Sequence, residues 1–209
     1  MRILLTTAAT IAMVGGFNGA AMAQTTSSTS DSVTTTDHLE GANYFDLESS
    51  LPFKAPDFSK ISEDDYLPAF KTAMAIQKGE IQRIIDNPEP PTFENTIVAL
   101  EKSGRMLGRV SAVFFHLTGA DTTDKLDEID AEISPKLSAH SDSITLNPEL
   151  FARVKAVYDN RAAMSMTPED AKLLEDTYEG MVHAGAELTD AQRERVKEIN
   201  TELSTVTTE

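Results

Sequence analysis

The chain has 209 residues, 34 Asp and Glu against 18 Lys and Arg, a formal net charge of −16 and no cysteine. Its length allows one domain or two small ones, with a core large enough to need neither disulfides nor a structural metal. The acidity argues against nucleic-acid and anionic-membrane partners, and the missing thiols exclude cysteine catalysis, thiolate zinc sites and a disulfide scaffold.

Residues 1–23 have the three-part layout of a secretory signal peptide. Arg2 is followed by an apolar run from Ile3 to Val14, and Ala21-Met22-Ala23 forms an A-x-A cleavage signal before Gln24. The apolar run is too short to span a bilayer, and no cysteine follows that would carry a lipid. The expected mature protein is soluble and exported, to the periplasm if the host is Gram-negative, with no membrane partner after cleavage. Residues 24–43, "QTTSSTSDSVTTTDHLEGAN", are dominated by Ser and Thr and poor in large apolar side chains. Such a segment reads as a flexible leader, because it buries too little to offset the entropy of ordering.

From residue 44 to 209 the pattern is all-α. Pro52 and Pro56, interleaved with Leu51, Phe53 and Phe58, read as an extended stretch that pins aromatic rings onto a body. Ser62 with Asp65 three residues on is an acidic variant of the capping box. The helix it opens carries Tyr66, Phe70, Met74, Ile81, Ile84 and Ile85 mostly on one face. "NPEPPT" stops it, and Thr92 caps the next.

The run "PTFENTIVALEKSGRMLGRVSAVFFHLTGAD", residues 91–121, reads as one long amphipathic helix with the stripe Phe93, Ile97, Leu100, Leu107, Phe114 and Phe115. Gly104 and Gly108, four apart, would let a neighbouring backbone approach, and Gly119 would supply the stop. Thr123 caps a helix with the stripe Leu126, Ile129, Ile133 and Leu137 and a kink expected at Pro135. Asn147-Pro148 and Thr167-Pro168 repeat one start signal, a cap followed by proline at the first helical position. The last helix begins after Thr189 with the stripe Val196, Ile199, Leu203 and Val206. No Gly, Asn or Pro closes it, which implies a polypeptide that continues.

No catalytic constellation is legible. The four histidines, His38, His116, His140 and His183, are far apart in sequence, and none is followed by Glu as a zinc-binding His-Glu-x-x-His requires. The acidic series Asp121, Asp124, Asp127 and Asp130 lacks the alternating ligands and central Gly of a calcium loop and reads as a solvated helix face. There is no G-x-S-x-G elbow, P-loop or dinucleotide fingerprint.

Four long runs, in order, carry a resemblance: "LPFKAPDFSKISEDDYLPAFKTAM", "NPEPPTFENTIVALEKSGRMLGRVSAVFFHLTGAD", "SPKLSAHSDSITLNPELFARVKAVYDNR" and "TDAQRERVKEINTELSTVTT". Together, from about Leu51 to Thr208, they resemble the amino-terminal region of the bacterial peptidyl-dipeptidases, or dipeptidyl carboxypeptidases. These are a branch of the thimet oligopeptidase and neurolysin family of zinc peptidases. His116 departs from the pattern, standing where Asn is common.

The resemblance implies a nearly all-helical body divided by a deep channel, and zinc-dependent removal of dipeptides from the free carboxyl end of short peptides. It places the zinc helix, with His-Glu-x-x-His and a further Glu, in the carboxyl-terminal half. None of those residues can be set on this sequence, so no catalytic, cofactor-binding or metal residue is assigned. Residues 44–209 would then be a piece of channel wall lacking its catalytic region, inactive and zinc-free alone. The alternative is a stand-alone, non-catalytic helical module that binds peptides or a partner. A stand-alone module should cover Leu203 and Val206, whereas a fragment leaves them uncovered.

Overall fold

Helix starts in this chain are fixed by side chains that accept from the exposed first-turn amides. Thr92 Oγ1 accepts from the Asn95 N–H at 3.1 Å, and Asn95 Oδ1 reciprocally accepts from the Thr92 N–H at 2.8 Å. Thr123 and Thr167 do the same for Leu126 and Asp170, and Asn147 accepts from both Glu149 and Leu150. The Asp65 carboxylate accepts from the backbone N–H and hydroxyl of Ser62. The N-caps expected at Thr92, Thr123, Asn147 and Thr167 are therefore present, and Ser62 with Asp65 forms the expected capping box.

The computed structural model describes residues 43–46 and 49–206, all within a compact unit spanning Thr36–Glu209. The proposed signal peptide, its cleavage residues Ala21, Ala23 and Gln24, and all of the leader except Asn43 lie outside the described residues. Among the described residues there is no strand, and no helix is long and apolar enough to cross a membrane. The helices are α1 Asn43–Asp46, α2 Tyr66–Ile85, α3 Ala99–Glu101, α4 Arg105–Ala120, α5 Asp124–Thr145, α6 Pro148–Asp159, α7 Pro168–Ala184 and α8 Asp190–Val206. A wide π-turn, Phe93–Val98, leads into α3.

Helix α2 runs past two apolar clusters. Its first half joins Phe45, Met106, Val110, Val113 and Phe114, together with Leu126, Ile129 and Ile133 of α5. The rings of Tyr66 and Phe70 meet Phe114 edge-on, at 5.1 and 5.4 Å between centroids. Its second half, with Ile81 and Ile84, packs on Ile97 of the π-turn and on Leu150, Val154, Leu174 and Met181 of α6 and α7. Arg153 of α6 holds the proline-rich linker by donating to the carbonyls of Asn87 at 2.8 Å and Glu89 at 3.3 Å.

Four expectations are corrected. The run 91–121 is not one helix: it breaks after Glu101, and α4 starts again from Gly104 in a left-handed conformation, φ +68°. The break resets the buried register, so α4 buries Met106, Val110, Val113 and Phe114, and Phe115 is exposed. Gly108, expected to admit a neighbouring backbone, has open space where a Cβ would go. Gly119 does not stop α4, which continues to Ala120 and is capped at Asp121. The stretch around Pro52 forms two short 3-10 turns, Pro52–Lys54 and Phe58–Lys60, and its rings are not pinned: Phe53 is fully exposed and Phe58 is largely so.

Candidate interaction face and the polar seam beneath it

Between its two apolar halves α2 carries Gln77, and several half-buried polar groups meet there. His140 Nε2 of α5 donates to Gln77 Oε1 at 2.8 Å, and Gln77 Nε2 lies 3.5 Å from Ser103 Oγ. The Gly104 N–H donates to Glu80 Oε2 at 2.7 Å. The turn needs glycine for its positive φ, and a Cβ at residue 104 would lie 2.3 Å from Gln77 Nε2 and so displace that side-chain amide. Burial, aided by the nearby Lys78 charge, holds the His140 imidazole below its ordinary pKa.

The seam continues on the far side of α5. Asp142 lies nine residues after Ile133, half a revolution away at 100° per residue, so α5 has an apolar face toward α2 and a polar face opposite. Helix α8 lies on that polar face. Asn200 Nδ2 donates to Asp142 Oδ1 at 2.9 Å, and Ser138 Oγ donates to the Asn200 carbonyl at 3.4 Å. Asp142 Oδ2 is buried with no partner, and burial raises the carboxyl pKa against the opposing effects of Asn200 and Lys197. At the start of α8 the half-buried Arg193 guanidinium donates to the Leu188 carbonyl and pairs with Asp190.

Helix α8 is thus seated on α5 by Asn200, with the Lys197 charge near Asp142, and its first turn is tied to the preceding loop by Arg193. Its apolar residues occupy the adjoining face. Val196 is half-buried and lines a cleft of ≈570 Å³ with Val182, His183 and Leu188 near the end of α7. Beyond it, Ile199 is 46% exposed, Leu203 59% and Val206 69%. The expected stripe is real, but this body does not bury it.

The other residues singled out in the sequence fall apart from one another in space. His116 is exposed on α4 and donates from Nδ1 to the Ala112 carbonyl at 2.6 Å; His183 is exposed at the rim of the α7–α8 cleft; His38 lies outside the described residues. Among the described residues no three His, Cys, Asp or Glu side chains gather where they could hold a metal ion. Asp121, Asp124 and Asp127 face solvent, with Asp127 accepting from Thr122 Oγ1 at 2.6 Å, and the half-buried Asp130 accepts from Ser134. The seam residues Gln77, Asp142 and Asn200 went unmarked in the sequence, because a polar residue in a helix reads as solvent-facing until its tertiary partner is known.

No protein-family profile matches the chain. Individual relatives do. It is 42% identical to the dipeptidyl carboxypeptidase of Escherichia coli over 167 residues, 80% of this chain and 24% of that protein. It is 40% identical to the dipeptidyl carboxypeptidase of Salmonella typhimurium over 159 residues, 76% of this chain and 23% of that protein. A weaker match, 25% over 153 residues, is to oligopeptidase A of Escherichia coli, covering 73% of this chain and 22% of that protein. The chain spans about a quarter of the length of the curated relatives it matches.

Proposed function

We infer, from the homology of this chain to one quarter of the bacterial dipeptidyl carboxypeptidases, that it serves as a non-catalytic helical segment of an exported zinc-dependent peptidyl-dipeptidase. The observation that carries this reading is the 42% identity, which extends over 80% of the chain. Its role is structural selection. The helices form part of a channel wall that admits short, unfolded peptides with a free carboxyl end and keeps folded proteins away from the chemistry.

The described residues do not fit a zinc site. His116, His140 and His183 each sit without two further ligating side chains, and His140 is already committed to Gln77. Zinc and its ligands are therefore assigned to the portion of the longer relatives that this chain does not match, and no step of the reaction is routed through these helices. Residues 1–23 direct export, with the mature protein starting at Gln24. This rests on the Arg2, apolar run and Ala21-x-Ala23 pattern alone.

The test is a graft. Residues of this chain replace the matching stretch of the Escherichia coli dipeptidyl carboxypeptidase, and the chimera is given an amino-blocked tripeptide with a free carboxyl end. Chelator-sensitive release of a dipeptide is expected. A folded chimera that binds zinc and releases none would overturn the reading. The 209-residue chain alone should release no dipeptide, and chelator-sensitive release by it would show that the assignment of chemistry elsewhere is wrong. Mass spectrometry of the exported protein should find Gln24 at the amino terminus.

A further inference from the structure

We propose that the apolar face of α8, continued by the cleft beside the end of α7, is an intramolecular docking surface whose occupant is a helix from the three quarters of the longer homologous polypeptide lying outside the matched stretch. This rests on the peptidase-segment reading above and deepens it, by naming where the segment meets its catalytic remainder.

Three observations converge. First, the orientation of α8 is already fixed by other contacts: Asn200 to Asp142 and Ser138 to the Asn200 carbonyl hold its polar side to α5, while Arg193 ties its first turn to the preceding loop at Leu188. The outward face is therefore not an accident of loose packing. Second, Val196, Ile199, Leu203 and Val206 are spaced three, four and three apart. That alternation is the seam by which one helix lies along another at a shallow angle, and it runs about 15 Å, two to three turns. Arg195 and Glu202 border it on one side, as charged residues border such seams. At its upper end Val196 also lines the ≈570 Å³ cleft with Val182 and Leu188, so the exposed stripe of α8 leads into a concave site beside α7. Third, the Escherichia coli relative extends far beyond the matched region, which is 24% of its length. An apolar helix face of this length on a segment of a longer protein is covered most directly by that protein's own remainder, since a permanently exposed seam promotes association.

The absence of cysteine makes the surface easy to probe, because one introduced thiol is then the chain's only one. Two variants are made: Ile199→Cys in the seam, and Glu198→Cys, exposed and about 100° around the helix from it, as a reference. Each is prepared both in the 209-residue chain and in the chimera described above, and alkylation at each site is followed by peptide mass spectrometry.

In the 209-residue chain the two thiols should react at similar rates. In the chimera, Cys at 199 should slow at least tenfold relative to Cys at 198. Equal rates in the chimera overturn the docking proposal, and do so even if the chimera releases dipeptides, in which case the peptidase reading stands. Protection at 199 in a folded chimera that binds zinc but releases no dipeptide keeps the docking surface and removes the peptidase reading. Protection already present in the 209-residue chain, growing with its concentration, makes a second copy the occupant and also overturns the proposal. Should the chimera not fold, cysteines at the aligned positions of the Escherichia coli protein give the same comparison of rates.

Discussion

Helices α2 and α8 lie on opposite faces of α5 and are held there by opposite kinds of surface. On one side α2 brings Tyr66, Ala69, Phe70 and Ala73 against Leu126, Ile129 and Ile133, all buried. On the other side α8 brings Asn200 onto Ser138 and Asp142, with the Lys197 charge near Asp142, while its own apolar residues face outward. Both helices are amphipathic to a similar degree in sequence. The contrast teaches that an apolar stripe states which face gains from burial, and that the contacts available within a given polypeptide decide whether it is buried there.

The sharpest way to break this contrast is to truncate the α2 side. Phe114 is fully buried and edge-on to both Tyr66 and Phe70, so Phe114→Ala leaves a cavity at the centre of the first cluster. The expected loss is about 3–5 kcal/mol of unfolding free energy, read from urea titration. A loss under about 1 kcal/mol would mean that this cluster is as loosely held as the α8 face. The next effect is at the hinge between the two clusters. Gly104→Ala forces a side chain into φ +68° and drives a Cβ into Gln77, so Gln77 must move and its bond from His140 is disturbed. About 1–2 kcal/mol is expected from the backbone alone. The resonance of His140, followed by NMR through its titration, should shift with it.

Much of this architecture was legible, and the parts that were not share a cause. Ser62, Thr92, Thr123, Asn147 and Thr167 were readable because a cap acts on amides two or three residues away. The stripes of α2 and α5 were readable because local period alone defines them. Gly104 was not: a glycine inside a periodic run serves equally as a smooth packing surface or as a left-handed break, and the choice is made by Glu80 and Gln77, more than twenty residues away. Phe53 and Phe58 were expected to be pinned because they are apolar, yet nothing in the described body receives them. On α8 the stripe was correct and its direction was not fixed by it, since Asn200 finds Asp142 at a separation of 58 residues.

The seam itself offers a smaller, signed effect. Asp142 is a buried carboxyl with one oxygen unpartnered, and burial raises its folded pKa above the ordinary carboxylate value. A raised folded pKa means that the protonated form is the one the fold favours. Stability from this group is then complete below the ordinary Asp value and is lost as pH rises through the folded pKa. Asp142→Asn keeps an acceptor for Asn200 and removes the charge, so at pH 7 it should be neutral to about 1 kcal/mol more stable. The advantage should shrink as pH falls from 6 toward 4. His140 works in the reverse sense, since its lowered pKa makes the fold lose stability as pH falls through the ordinary His range, but it is common to both proteins and cancels in the difference. Thermal melts of both proteins across that range check the sign: a difference that does not change with pH would show that folding leaves the Asp142 pKa unshifted, and a variant deficit that grows as pH rises would show that the carboxylate is fully partnered.

The smallest expected effect is the most discriminating for the α8 side. Ile199→Ser removes an apolar side chain from a face that is 46% open at that position, while leaving the Asn200 contacts to Asp142 and Ser138 to hold the helix to α5. In the 209-residue chain the change should fall within about 0.5 kcal/mol of zero, the usual range for surface substitutions away from special features. The same residue type at Ile133, fully buried toward α2, should lose several times as much when truncated, because there it has packing partners to lose. If Ile199→Ser instead destabilises this chain by more than about 2 kcal/mol in urea titration, the side chain is already buried against something in solution, and the contrast between the two faces of α5 disappears. A near-zero result has the opposite consequence: the free energy available from burying this seam is still unspent in the 209-residue chain, so whatever covers it gains the whole of that burial on contact.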